Sequence, residues 1–397
     1  MGQRPGRGWG WLAWGLAAAF ALDRALKLVA VERAFHRPAP VPPDEWPTVT
    51  LLQPITRGVP DLRANLAARA RLAYPAPIQH LFICDAADAP AQAACQDLLV
   101  AHPTLNGQII TVTHPGAAIA PKIPKLSAGL PLATGTVLCL LDDDVAPRPD
   151  ALQRLIPYLS LPAVGVVFGL PNNAGWHTLW SGMLSGFTNA NMPLSFIALA
   201  ALTEPFRITG HMAAYSRVAF VAVGGLAGLA QSIDDDFELG RRLHAHGYHT
   251  IQAPVVYDIV NDLPTARAYH RQLHRWFVLP RHAMLPHLTP RQRFISLAVS
   301  GPTLAIPGLV LAVALAHPRR ATWAALGTVL GTFAATYALT QHRYLRGHTP
   351  WHGWLLLPAF AIATPLHALA TLLLRSEIEW RGQRLRLCRD GTYEVMS

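Results

Sequence analysis

The run Thr136-Val137-Leu138-Cys139-Leu140-Leu141 ends directly in Asp142-Asp143-Asp144. A short, nearly continuous apolar run of this kind reads as a strand buried in a sheet. Acidic side chains at the end of such a strand can hold a hard cation such as Mg²⁺, which prefers one or two carboxylates together with substrate phosphate oxygens. A second acidic group stands in Ser232-Ile233-Asp234-Asp235-Asp236-Phe237-Glu238-Leu239, and a basic, aromatic segment follows at Gln272-Leu273-His274-Arg275-Trp276. Such a segment suits the phosphates and the base of a nucleotide. The three elements together suggest chemistry on a nucleotide-activated donor.

Strand-like stretches recur at 49–53, 80–84, 107–113, 136–141 and 164–169, with a helical stretch at 61–72 for which Asp61 is a plausible N-cap. This βαβ rhythm implies an α/β fold: an open, mostly parallel sheet with helices on both faces and ligands at the C-terminal ends of the strands. Asp85 and Asp142 both fall at such ends.

Composition sets the surroundings. The chain is 51% hydrophobic and only 14% charged, against about 25% charged in ordinary soluble domains. The deficit lies mainly at the two ends, which argues for a membrane protein. The net charge of +10 suits nucleic acid, anionic lipid or phosphate-bearing substrates. No Lys/Arg run interleaves with aromatics, and many arginines flank apolar segments, so headgroups of a bilayer are the expected partner and nucleic acid is not. Cys84, Cys95, Cys139 and Cys388 form no CxxC and no metal-ligand spacing; three of them sit in apolar stretches, where buried free thiols are expected.

The expected organisation is an N-terminal membrane anchor at 1–37, a proline-rich linker at 38–48, a cytosolic catalytic domain with an interfacial helix at 49–292, membrane segments at 293–375 and a basic cytosolic tail at 376–397. The apolar stretch 9–31 is interrupted by Asp23, Arg24 and Lys27, and its clean part is short of the roughly 20 residues of a span. Asp23 and Lys27, four apart, can pair on one helical face. A signal peptide is the competing reading, given Arg4 and Arg7 ahead of a short apolar core. Arg24, Lys27, Arg33 and Arg37 follow the segment, which orients the next domain to the cytosol. Apolar segments at 294–316, 321–340 and 352–374 follow, with prolines 302, 307, 358 and 365 suggesting kinks. Arg375, Arg381, Arg384, Arg386 and Arg389 place the tail in the cytosol. Three full spans would put it outside, so one segment is expected to be interfacial or re-entrant.

In this order the residues resemble the family 2 glycosyltransferases of GT-A fold, and among them the family 21 type of ceramide glucosyltransferase-like enzymes and their bacterial relatives. The resemblance covers about 48–290 and extends to the tail at 379–387. It rests on Leu51-Leu52-Gln53-Pro54-Ile55-Thr56-Arg57-Gly58, Asp85, Pro121-Lys122, Asp142-Asp143-Asp144, Asp235-Asp236-Phe237-Glu238-Leu239 with Gly247-Tyr248, Gln272-x-x-Arg275-Trp276, and a tail that includes Arg381-Gly382.

The resemblance implies a site. Asp85 would accept a hydrogen bond from uracil. Asp142 and Asp144 match a D-x-D that holds the ribose and a divalent metal, Mg²⁺ or Mn²⁺, on the diphosphate, while Asp143 points to the other face. Asp236 matches the catalytic base, with Asp235 beside it either raising its pKa or capping the next helix. Lys122, Gln272, Arg275 and Trp276 belong to donor binding; His211 and Asp235 fall in the acceptor region. Where the animal enzymes have His-Pro, this chain has Asn191-Met192-Pro193. The stretch 192–202 is expected to dip into the membrane interface.

The implied reaction is inverting transfer of a sugar, glucose first, from a UDP-sugar to a membrane lipid hydroxyl such as that of ceramide, at a bacterial inner membrane. Diacylglycerol or a hopanoid as acceptor, a processive polysaccharide synthase, and a non-catalytic membrane scaffold are the alternatives.

Overall fold

The computed structural model describes residues 7–56, 58–59, 61–113, 122–232, 234–372, 377–380, 383–388 and 392–396. Arg4, Arg57, Pro121, Ile233, Arg375, Arg381, Gly382 and Arg389, used above, lie outside the described residues. The chain forms two compact units that interleave along the sequence. One comprises Arg37–Asn172 and Glu204–Asn261; the other comprises Met1–His36, Asn173–Thr203 and Asp262–Ser397.

The first unit is built on a sheet of β1 (Val49–Pro54), β2 (Ile78–Asp85), β3 (Gly107–Val112), β4 (Val137–Leu141), β5 (Val145–Ala146), β6 (Val164–Asn173), β7 (Met212–Ser216) and β8 (His249–Ile259). Their spatial order is β3-β2-β1-β4-β7-β6-β8-β5. The first four run parallel, with Val49 opposite both Ile78 and Val137, and His80 opposite Gly107. β7 is antiparallel to β4 and β6, and β5 to β8. All residues of β1 and β4 are buried, as expected of parallel strands covered on both faces. Alternation along β4 then feeds two cores. Leu138 and Leu140 join Leu52, Leu81, Ile123 and Leu126 on one side; Val137, Cys139 and Leu141 join Val49, Leu51, Leu152 and Tyr257 on the other. Helix Lys122–Gly129 covers the first face and helix Ala151–Leu155 the second. This is the mostly parallel α/β sheet expected.

Two local details differ from expectation. Helix Leu62–Ala70 starts after Asp61, but Asp61 sits at φ 53° and its side chain makes no capping hydrogen bond. The sheet also gains β7, which enters antiparallel to β4 and β6, and β8, which pairs antiparallel with β5.

The second unit is helical, with a small C-terminal sheet of β9 (Glu377–Trp380), β10 (Gln383–Leu387) and β11 (Tyr393–Met396). Helix Arg7–His36 runs unbroken through its charged residues. Lys27 Nζ lies 2.7 Å from Asp23 Oδ2, the expected i,i+4 pair, and also donates to Thr303 Oγ1 at 3.2 Å. Arg24 donates to the Ala190 carbonyl at 3.0 Å and to Asn191 Oδ1 at 2.7 Å, with Phe20 and Phe333 rings against its guanidinium. Two helices, Pro290–Ala316 and Arg320–Leu345, are long and apolar enough to cross a membrane. The third expected segment is broken into Trp351–Leu355 and Leu357–Leu372; Pro358 sits just inside the second helix, where a missing N–H costs nothing. The stretch 192–202 is not a separate element. It is the second half of the 24-residue helix Leu179–Leu202, which contains Pro193.

Candidate active site

Asp142 follows the last residue of β4. Its backbone N–H donates to the His211 carbonyl at 2.9 Å, tying the acidic turn to the segment just before β7. The turn is held from below by helix Leu62–Ala70. Arg69, fully buried, donates to the Asp142 carbonyl at 2.6 Å, the Val145 carbonyl at 3.2 Å and Gln53 Oε1 at 3.1 Å. Asn65 Nδ2 donates to the Asp143 carbonyl at 3.1 Å. The Asp143 carboxylate accepts the Thr56 N–H, and residues 143–144 form a turn rather than the extended chain expected. Gln53 of the Leu-Leu-Gln-Pro segment therefore acts through Arg69.

Asp235 and Asp236 begin helix Asp235–Ala245. Its N-cap is Asp234, whose Oδ1 accepts the Phe237 N–H at 3.2 Å, so Asp235 is not the cap. Lys122, at the start of its own helix, gathers the acids: its Nζ lies 3.0 Å from Asp142 Oδ1 and 3.9 Å from both Asp235 Oδ2 and Asp236 Oδ1. It also reaches the Gly210 carbonyl at 3.5 Å. Gly210 leaves room for the Asp236 carboxylate, since a Cβ there would lie 1.9 Å from Asp236 Oδ2 and the side chain would have to move. The Asp236 carboxylate thus rests on bare backbone.

Electrostatics follow from this crowding. Burial, partly offset by Lys122 and reinforced by Asp235 and Asp142, holds the Asp236 carboxyl well above the usual aspartate range. Burial also raises Asp235, with Lys122 opposing and Asp234 and Asp142 adding to it. Lys122 is opposed by burial, but Asp142, Asp236 and Asp235 outweigh that and push its ammonium well above its ordinary value. Asp144 is pushed up to about 7 by burial and by Asp142, against Arg69. Asp143 is pushed up to about 6 by burial and its two acidic neighbours.

The structure brings Lys122, Asp142, Asp235 and Asp236 together, with the His211 carbonyl on Asp142. The His211 ring stands 6.2 Å from that of Tyr257. Asp85 closes β2, where its Oδ1 accepts the Ala87 N–H at 3.0 Å. Gln272, Arg275 and Trp276 belong to the helical unit, on helix Ala266–Leu279. There Arg275 donates to Gln272 Oε1 at 3.0 Å, and half-buried Trp276 packs on the core containing Tyr269 and Leu273.

Sequence reasoning missed Arg69, Asn65 and Tyr257. Asn65 and Arg69, four apart on one short helix, share a face, and that spacing is the one signal that marks them. Tyr257 is fully buried on β8, and burial, Asp142, Asp144 and Asp236 raise its phenol well above its ordinary value; nothing in the sequence around it points to the site.

Among the described residues no three His, Cys, Asp or Glu side chains converge as a ready-made metal cage. Asp144 Oδ1 is nonetheless buried without a hydrogen-bond partner among them, and Asp142 already faces a cationic group. Two carboxylates in this state fit a cation whose remaining ligands come from a substrate.

The model of glycosyl transferase family 21 matches residues 13–393. The chain belongs to glycosyl transferase family 21. This family 21 protein is also similar in fold to the mannosyltransferase PcManGT from Pyrobaculum calidifontis, solved in complex with GDP-Man and Mn²⁺. The two share 21% identity with a TM-score of 0.53, over 91% of this chain and 99% of that one. The GT-A type of fold expected from the sequence is therefore the fold observed. No curated protein matches the chain.

Proposed function

We propose that this glycosyltransferase moves a sugar, glucose first, from a UDP-sugar to the hydroxyl of a membrane lipid such as ceramide, with inversion to a β-glycolipid. The observation that carries the reading is the junction at Lys122, where a strand-end carboxylate suited to a donor (Asp142) and a helix-start carboxylate suited to a base (Asp236) share one cation.

Asp236, its carboxyl raised by burial and by Asp235 and Asp142 against Lys122, takes the proton from the acceptor hydroxyl. That oxygen forms a bond to the anomeric carbon as the bond from that carbon to the diphosphate breaks, and UDP leaves with the electron pair. One displacement inverts the centre. Asp142 and Asp144 would hold a divalent cation, Mg²⁺ or Mn²⁺, whose chemistry is to neutralise charge on the leaving diphosphate. Lys122 and Arg275 supply further positive charge for the phosphates, Asp85 and Gln272 orient the nucleotide, Trp276 closes over the donor, and His211 with Asp235 borders the acceptor.

We further place the catalytic residues on the cytosolic side of a bacterial inner membrane, anchored by helix Arg7–His36 and the two long apolar helices. The supporting feature is the basic last turn of the first helix, Arg33 and His36, with Arg37 directly after it.

Incubation of the purified protein with labelled UDP-sugars and a panel of membrane lipids, followed by mass spectrometry, tests the reading. A single sugar on a lipid is expected. A polymer, or no turnover with any UDP-sugar, would overturn it.

A further inference from the structure

Asp142, the carboxylate best placed to meet a divalent cation, is already engaged. The Lys122 ammonium lies 3.0 Å from its Oδ1 and 3.9 Å from each of Asp235 and Asp236. The four side chains retain only 17–24% of their exposure, so water screens these charges poorly. A divalent ion arriving on Asp142 would meet a positive charge held against the same carboxylate. The Asp144 Oδ1 beside it is buried and has no hydrogen-bond partner among the described residues.

We propose that Lys122 holds the place of the divalent cation on Asp142, so that the protein without nucleotide binds the ion weakly, and that an incoming diphosphate opens the site by drawing the ammonium to itself. Lysine suits this role because it is a point charge on a flexible four-carbon stem, able to exchange one anion for another without leaving the site. The three carboxylates keep Lys122 charged and near at hand, and the Gly210 carbonyl at 3.5 Å gives the ammonium a neutral partner as well. Linkage then makes the effect mutual: the nucleotide tightens the cation as much as the cation tightens the nucleotide. The inference rests on the donor-site reading above.

Electron paramagnetic resonance of free Mn²⁺, titrated into the full-length protein in detergent with and without UDP, tests it directly. Wild-type protein is expected to bind Mn²⁺ weakly alone and tightly with UDP. Lys122→Met should raise nucleotide-free Mn²⁺ affinity by about tenfold, within the usual range of such couplings, and should shrink the further gain from UDP. Lys122→Arg should restore weak nucleotide-free binding, and adding Asp142→Asn to Lys122→Met should abolish the gain. If Lys122→Met does not fold, Lys122→Gln is read in the same way. Unchanged or weaker nucleotide-free affinity in the neutral variants, with wild type still binding Mn²⁺ in UDP, would make Lys122 a fixed brace and end this proposal alone. Absence of Mn²⁺ binding by wild type even with UDP would overturn the donor-site reading and this inference with it.

Discussion

In the sheet unit the charges converge: Lys122 faces three carboxylates, and burial among like charges raises the carboxyls of Asp143, Asp144, Asp235 and Asp236. In the helical unit the buried charges are spread out and matched locally. Lys27 has Asp23, and Arg24 has a carbonyl, an amide oxygen and two aromatic faces. Like charges held together store reactivity, whereas a charge given its own partner spends that reactivity on holding helices together. Burial is common to both regions, so burial alone does not mark a catalytic residue. The company of the charge does.

The largest expected effect tests the converging side of this contrast. Excess chelator should abolish transfer, and Asp144→Asn should weaken UDP binding, measured calorimetrically, with thermal stability intact; full turnover in chelator would remove the cation from the sheet unit. Next, Asp236→Asn should lower turnover by roughly 10²–10⁴-fold, the usual worth of a lost general base, while UDP affinity stays near wild type. If Asp235→Asn proves the more damaging change, the base is the neighbouring residue.

The helical side predicts the opposite pattern. Lys27→Met leaves part-buried Asp23 without its partner and should cost about 1–3 kcal/mol of stability, seen as a lower melting temperature in detergent. Adding Asp23→Asn should recover most of that loss. A drop in turnover without a drop in stability would show that this pair also serves the chemistry. Gly210→Ala is expected to sit between the two patterns, since its Cβ must displace the Asp236 carboxylate. Overpacking of this kind typically costs about 1–3 kcal/mol, and here turnover should fall with donor affinity preserved.

The smallest effect is in pH dependence. The base must be unprotonated to work, so turnover should rise with pH through the raised Asp236 value, well above the ~3.9 of a free aspartate. Burial is the main cause of that rise and Asp235 adds to it. Asp235→Asn should therefore move the acid limb of the rate profile to lower pH. A limb that stays in place would mean that Asp235 does not reach Asp236 electrostatically.

The parallel half of the sheet was legible from its sequence because strands covered on both faces are written as continuous apolar runs, as at 137–141. β7 and β8 escaped: β7 lies antiparallel to both its neighbours, and β8 breaks its apolar run with Thr250, Gln252, Pro254 and Asp258. The acids at Lys122 were likewise legible as types in order. What could not be read was that Asp234 takes the cap and frees Asp235 to face Lys122, because a one-residue choice among three adjacent aspartates is made by backbone geometry. Arg69 escaped for a related reason: a guanidinium that bonds to main-chain carbonyls needs no acidic partner in the sequence to betray it.

The interleaving of the two units has a consequence for how the protein is made and handled. β7 pairs with β4, yet helix Leu179–Leu202 is synthesised between them. During translation the edge of β4 therefore stays open until the inserted helix has emerged and found its place, and an open strand edge invites pairing with another chain. Trimming the two termini cannot yield a water-soluble sheet unit, because 173–203 would remain in its middle. A soluble version calls for splicing that segment out, and expression of the whole chain should depend on how promptly its central helix is lodged.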